Sequence, residues 1–163
     1  MKLRDSGLHF GFVSVVGHWG GAAMLAAFLI SASASELSDA EPSFTQNVTF
    51  WISLLTALVF AFRLYWRIVN FHPAPLGGAS PAQVLAGRGV ALGMLLAGVI
   101  LPTLFLAKAF VTPGSSWWLT PLFWFGVACF LCGLALHLYG AFTHHFVLKD
   151  DSLKRVMGHK VDL

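Results

Sequence analysis

Charged residues are scarce in this chain, and their scarcity argues against an ordinary soluble protein. Only 10% of the 163 residues are Asp, Glu, Lys or Arg, while 57% are hydrophobic; soluble domains carry roughly 25% charged residues. Seven acidic residues cannot keep six Trp and fifteen Phe in solution. The net charge of +3 is small and its basic residues are dispersed, so we expect no nucleic-acid partner. The composition predicts a protein surrounded by membrane lipid.

Catalytic motifs are also lacking. The chain has no nucleotide-binding loop, no H-E-x-x-H and no serine-nucleophile motif. Its two cysteines, Cys129 and Cys132, form a C-x-x-C that no His follows, so covalent haem attachment is not indicated. Inside an apolar segment they are expected to be small packing residues rather than a redox dithiol. These absences do not favour an autonomous enzyme.

Four long apolar runs define the fold. They cover about 10–31, 48–67, 89–110 and 121–146, and a membrane-spanning helix needs about 20 such residues. Basic residues lie at both chain ends and around the middle loop, whereas the first loop is acidic, so the positive-inside rule places both termini in the cytoplasm. We predict an all-α fold, a single domain over 1–163: an integral membrane four-helix up-and-down bundle, N-in and C-in.

The N-terminus allows a second interpretation. Lys2, Arg4, an apolar run and the small residues 32–34 together resemble a secretory signal with its cleavage site. The apolar run is longer than a signal requires and contains a histidine near its cytoplasmic end. We therefore expect it to be retained as the first span.

Two histidines lie inside the apolar runs. His18 is in the first span and His137 in the fourth, where a titratable side chain is costly and should face the bundle interior. Both lie about 12–14 Å below the same membrane surface, at about 1.5 Å per residue. Neutral imidazole is a common axial ligand of haem iron. The pair predicts one b-type haem, with His18 and His137 as metal ligands; the alternative is that each His bonds a backbone carbonyl.

Small residues surround both histidines. Gly17 and Gly21 lie beside or one turn from His18, while Gly133 and Gly140 lie one turn from His137. Small residues let a neighbour approach the backbone closely. That neighbour is either another helix or a porphyrin, so these glycines are candidate cofactor-binding positions.

Other polar residues lie on the same side of the predicted bundle. His144 is seven residues beyond His137 and therefore on nearly the same helix face. It is a candidate contact for a haem propionate or a quinone carbonyl, or else it is solvated by lipid headgroups. Arg63 and Arg67, with Arg88, either neutralise propionates or act as positive-inside anchors.

Several sequence segments resemble the bacterial cytochrome b561 family, four-helix membrane proteins that exchange electrons with quinone. The resemblance covers nearly the whole chain. It rests on His18-Trp19, on the segment 63–67 with the Pro-containing loop after it, on Ile100-Leu101-Pro102, and most specifically on the segment 136–155. It implies a haem-bearing electron carrier in the bacterial inner membrane that reacts with the quinone pool. Anchoring other redox subunits, or a haem-free structural or assembly role, are the alternatives.

The chain departs from the family pattern at the outer haem. The family has two haems, each held by a His pair, and His18 and His137 match the cytoplasmic pair. The outer pair falls at about Thr49 and Phe123, neither of which binds haem iron in the usual way. We therefore expect a single-haem member, with residues 44, 50, 51, 123 and 124 filling the outer half.

Overall fold

The computed structural model is built from four long helices that run up and down. They are α1 (Phe12–Leu37), α2 (Phe44–Val69), α3 (Pro81–Lys108) and α4 (Leu119–Phe142). A π-helical turn, Thr143–Val147, extends α4, and a short helix, α5 (Ser152–Val156), follows. The structure describes residues 2–7, 9–37, 44–70, 73, 80–108, 110–111 and 117–159, with the backbone alone at 44–46.

All four long helices can cross a membrane. Each is long and apolar enough by length and composition, and 26 residues of α-helix extend about 39 Å, more than the ~30 Å hydrocarbon core. Within the described segments no strand occurs. The predicted all-α four-helix membrane bundle is confirmed.

Two helix ends differ from the sequence-based prediction by six residues or more. Helix α3 begins eight residues early, because Ser80 and Gln83 form a capping box around Pro81. The backbone N–H of Gln83 donates to Ser80 Oγ over 3.3 Å, and the Ser80 N–H donates to Gln83 Oε1 over 2.7 Å. Pro81 takes the first helical position, where its missing N–H costs nothing. The predicted proline-rich loop lies largely outside the described residues.

Helix α1 also continues six residues past its predicted end, to Leu37. It thereby carries Glu36 toward the last turn of α3, where the Glu36 carboxylate pairs with the Lys108 ammonium at 2.5 Å. The pair joins two charges that would be costly alone near hydrocarbon. We call this the opposite end of the bundle, and the end with both chain-terminal segments the His-pair end.

Consecutive helices pack along their lengths, whereas the seam between α1 and α4 is the loosest in the bundle. The core lies toward the opposite end, where the rings of Phe28, Phe105 and Phe123 lie 6.2–6.3 Å apart, centroid to centroid. Phe28 and Phe123 are fully buried. An aromatic cluster therefore closes the opposite half of the α1–α4 seam.

A row of hydroxyl groups on α2 lies in the same half. Thr49, Ser53 and Thr56 are buried, and the hydroxyls of Ser53 and Thr56 donate to carbonyls one turn earlier, over 2.6 and 2.7 Å. The Thr49 hydroxyl lies 3.1 Å from the Ser35 hydroxyl of α1. Small hydroxyl side chains allow α1 and α2 to pack closely.

Candidate functional site

His18 and His137 face each other across the α1–α4 seam. Their ring centroids are 6.1 Å apart and the ring planes are inclined by 40°. Both side chains are half-buried. The two residues are 119 positions apart in the chain, and the antiparallel course of α1 and α4 brings them to one level.

The spacing suits two imidazoles on one metal ion. A metal–imidazole bond of about 2 Å on each side, plus the ring radii, separates the two ring centroids by about 6 Å. Among the described residues no group of three His, Cys, Asp or Glu could hold a metal ion. A pair is nevertheless sufficient for haem, because the porphyrin supplies the other iron ligands. The donor set fits a b-type haem.

Gly17 and Gly21 accommodate a side chain of α2. A Cβ at Gly21 would lie 2.5 Å from the Arg63 Nη1, and one at Gly17 would lie 3.7 Å from the Arg63 Cγ. The Arg63 guanidinium also lies over the Phe60 ring, 4.9 Å from its centroid. The Arg63 side chain of α2 therefore lies against these two glycines, within one turn of His18.

The glycines of α4 have different surroundings. A Cβ at Gly133 would contact the Met94 Cγ of α3 at 3.6 Å, an ordinary packing distance, so this glycine faces α3. At Gly140 a Cβ would meet no described atom within 4 Å. Open space therefore lies one turn from His137, on the side toward the His-pair end.

Two further arginines lie between Arg63 and the surface of this end. Arg67 is half-buried near the end of α2, and Arg88 is exposed on α3. The Arg67 and Arg88 guanidiniums are close enough to repel each other, as are those of Arg63 and Arg67. The three positive charges form a row that leads from the surface toward His18.

His144 contacts a carboxylate rather than only solvent. Its Nδ1 lies 2.5 Å from the Asp150 Oδ2, and the Ser152 N–H donates to the Asp150 Oδ1 over 2.9 Å. Burial by itself raises the pKa of Asp150, whereas its hydrogen bonds with His144 and Ser152 lower it. The hydrogen bonds together have the larger effect, so the pKa of Asp150 is below its ordinary value. Asp150 therefore stays anionic near neutral pH.

Contacts of the two chain-terminal segments were not anticipated from the sequence. Trp19 Nε1 donates to the Val156 carbonyl over 3.2 Å. The Arg155 guanidinium is buried and lies 5.8 Å from the Phe10 ring centroid. The sequence does carry a local signal for the turn before α5: Asp150 lies two residues before Ser152, a spacing that favours a side-chain turn at the start of a helix.

At the N-terminus, Asp5 accepts hydrogen bonds from the Gly11 N–H at 2.6 Å and the Ser14 hydroxyl at 2.9 Å. Trp66 Nε1 of α2 donates to the same Ser14 hydroxyl over 3.2 Å. A carboxylate beside the first turn also complements the helix dipole. These bonds fix the start of α1 against α2.

The cysteine prediction needs correction. Cys129 and Cys132 are free thiols, and both are exposed on the outer surface of α4 rather than packed inside the bundle. Their small apolar side chains suit contact with lipid equally well.

Comparison with known proteins identifies the family. A family model described as prokaryotic cytochrome b561 matches residues 9–159. Cytochrome b561 homolog 2 of Escherichia coli (strain K12) is 28% identical to this chain over an alignment of 127 residues. The matched part covers 66% of this chain and 67% of that protein. No solved structure matches the chain. The chain therefore belongs to the prokaryotic cytochrome b561 family, and it is a membrane b-type cytochrome of electron transfer.

Proposed function

We propose that the protein carries single electrons through one haem, which His18 and His137 would hold. The observation that supports this most directly is the 6.1 Å separation of the two imidazole rings, which leaves space for one iron atom between them. When bound, the haem supplies a one-electron Fe(III)/Fe(II) couple. With both histidines bound to it, the iron would have no free position for oxygen, so oxygen chemistry there is not expected.

The surrounding side chains have separate roles in this proposal. Arg63, packed on Gly17 and Gly21, provides a positive charge beside His18 for a haem propionate. Arg67 extends the positive charge toward the surface. Gly140 leaves space next to His137, while Gly133 lies near Met94 of α3. These residues would bind and orient the cofactor.

A single haem is supported by the packing of the opposite half. By the resemblance, Thr49 and Phe123 stand at about the positions of the family's second pair of histidines, and both are buried in contacts of their own. Trp124 packs against Phe123, at 5.6 Å between ring centroids. Trp51, in contrast, is 60% exposed and contributes little to the filling; the Phe44 side chain lies outside the described residues. With the seam closed here, one haem per chain is expected.

We further propose that the His-pair end faces the cytoplasm across the bacterial inner membrane, as the basic residues at both termini indicate. Membrane quinone is then the expected electron partner, with His144 beside it near the surface. Anchorage of other redox subunits remains the alternative, since an anchor would carry the same haem site.

The test combines a spectrum with a quinone reaction. We expect pyridine haemochrome analysis of the purified protein to give about one haem per chain, and a water-soluble ubiquinone analogue to reoxidise the reduced haem. His18→Ala and His137→Ala should each abolish the low-spin spectrum, whereas His144→Ala and the exposed His145→Ala should retain it.

Each contrary result has a definite reading. A low-spin spectrum that survives both ligand variants refutes the assignment of the pair, and two haems per chain refute the single site. Failure to react with quinone, together with co-purifying redox subunits, favours the anchor. A chain without haem would leave the structural role.

A further inference from the structure

Trp19 follows the haem-ligand candidate His18 directly and touches its ring. The two ring centroids are 5.2 Å apart and the planes are nearly perpendicular, at 84°. Successive side chains on a helix point about 100° apart, so the contact requires both rings to lean toward the same side. An edge-to-face contact of this kind restricts rotation of the imidazole about its bond to Cβ.

Trp19 is itself held by the C-terminal strap, which we define as residues 148–159. The indole Nε1 donates to the Val156 carbonyl over 3.2 Å. Lys149 adopts a positive φ of 52° where the strap turns back from the end of α4. The strap therefore returns across the His-pair end to reach α1.

The strap is also bound to the extension of α4. His144, in the π-helical turn, pairs with Asp150 at 2.5 Å, and the Asp150 carboxylate in turn accepts a hydrogen bond from the Ser152 N–H. The strap thus connects the helix of His137 to the helix of His18 at the end where the two histidines lie. The seam between these helices has few other close contacts.

We propose that Trp19 is a positioning residue for the axial ligand His18, and that the strap holds Trp19 in place through the Val156 carbonyl. The proposal rests on the proposed function, because it assigns the orientation of a haem ligand. Groups around a metal-binding histidine fix its ring orientation and tune the metal.

The experiment compares two tryptophans with equal hydrogen bonds. Trp19→Phe removes the bond to the strap and keeps a ring beside His18, while Trp19→Leu removes both. Trp66→Phe is the matched control: Trp66 Nε1 also donates to α1 over 3.2 Å, but to Ser14. The readouts are the EPR g values of the oxidised low-spin haem, which depend on the angle between the two imidazole planes, and the haem midpoint potential.

We expect both Trp19 variants to shift the largest g value and the midpoint potential, with the larger shift in Trp19→Leu. Trp66→Phe should leave both at their wild-type values, although it loses stability. Asp150→Asn, which weakens the other attachment of the strap, should shift the g value in the same direction as Trp19→Phe. The 163-residue chain is used throughout, and circular dichroism checks that each variant is folded.

Contrary outcomes separate the parts of the proposal. Trp19→Leu spectra identical to those of Trp66→Phe overturn it. A shift in Trp19→Leu without one in Trp19→Phe or Asp150→Asn overturns the role of the strap and leaves the ring contact. A wild-type protein without haem overturns the proposed function and this inference together, whereas a wild-type low-spin haem that Trp19 does not affect overturns the inference alone.

Discussion

Truncation of Phe123 tests whether the opposite half of the bundle is a packed core rather than a second haem site. Phe123 is 0% exposed and contacts the rings of Phe28, Phe105 and Trp124. Phe123→Ala removes all three contacts and leaves a void, which costs about 3–5 kcal/mol where the surroundings cannot collapse. For a chain of this size that corresponds to a fall in the melting temperature on the order of 10 °C.

The same variant should leave the proposed haem unaffected. Phe123 is 14 residues before His137, so it lies about 21 Å away along the axis of α4. Thermal unfolding in detergent measures the stability, and the visible spectrum at low temperature measures the haem content. The expected result is a large loss of stability with a wild-type spectrum.

Phe125→Ala on the same helix is the control. Phe125 is 67% exposed on the outer surface, so its loss should change the stability by much less. Equal destabilisation by the two variants would refute the packed-core argument. Loss of the haem in Phe123→Ala would show that a haem lies in the opposite half, against the single-site proposal.

Three further predictions concern the two ends of the bundle. Gly21→Ala should displace the Arg63 guanidinium and lower the haem midpoint potential, because a positive charge moves away from the site. Gly20→Ala is the control: a Cβ there meets no described atom within 4 Å, so the potential should not change. The pKa of Asp150 lies below its ordinary 3.8 in the folded protein, so its stabilisation is fully present above pH 3.8 and is lost as the pH falls through the folded pKa. Acid titration of wild type and Asp150→Asn by circular dichroism should therefore diverge above that range and converge below it, and parallel curves would contradict this. Glu36→Gln leaves the partly buried Lys108 ammonium without its carboxylate. It should lower the melting temperature more than Asp151→Asn, which breaks an exposed pair with Lys154. Equal effects of the two variants would mean that the Glu36 pair is solvated.

The sequence by itself determined the class of the protein and the common level of His18 and His137 along the helices. Four apolar runs separated by polar segments allow little except four spanning helices, because backbone groups in lipid must be bonded within the helix. The level of His18 and His137 followed from counting residues along antiparallel helices. Their apolar surroundings made the pair conspicuous, and the family match agrees with the motifs at His18-Trp19 and around His137.

Only the tertiary structure decided what touches the site. Whether the space at Gly17 and Gly21 receives a helix, a cofactor or the Arg63 side chain depends on how α2 is rotated and on the rotamer of a long flexible residue. The pairing of Trp19 with Val156 joins residues 137 positions apart through a backbone carbonyl, a group that every residue has and that no sequence pattern marks. Periodicity fixes where a helix lies along the chain, but its rotation and its partners are set by the packing of all the helices together.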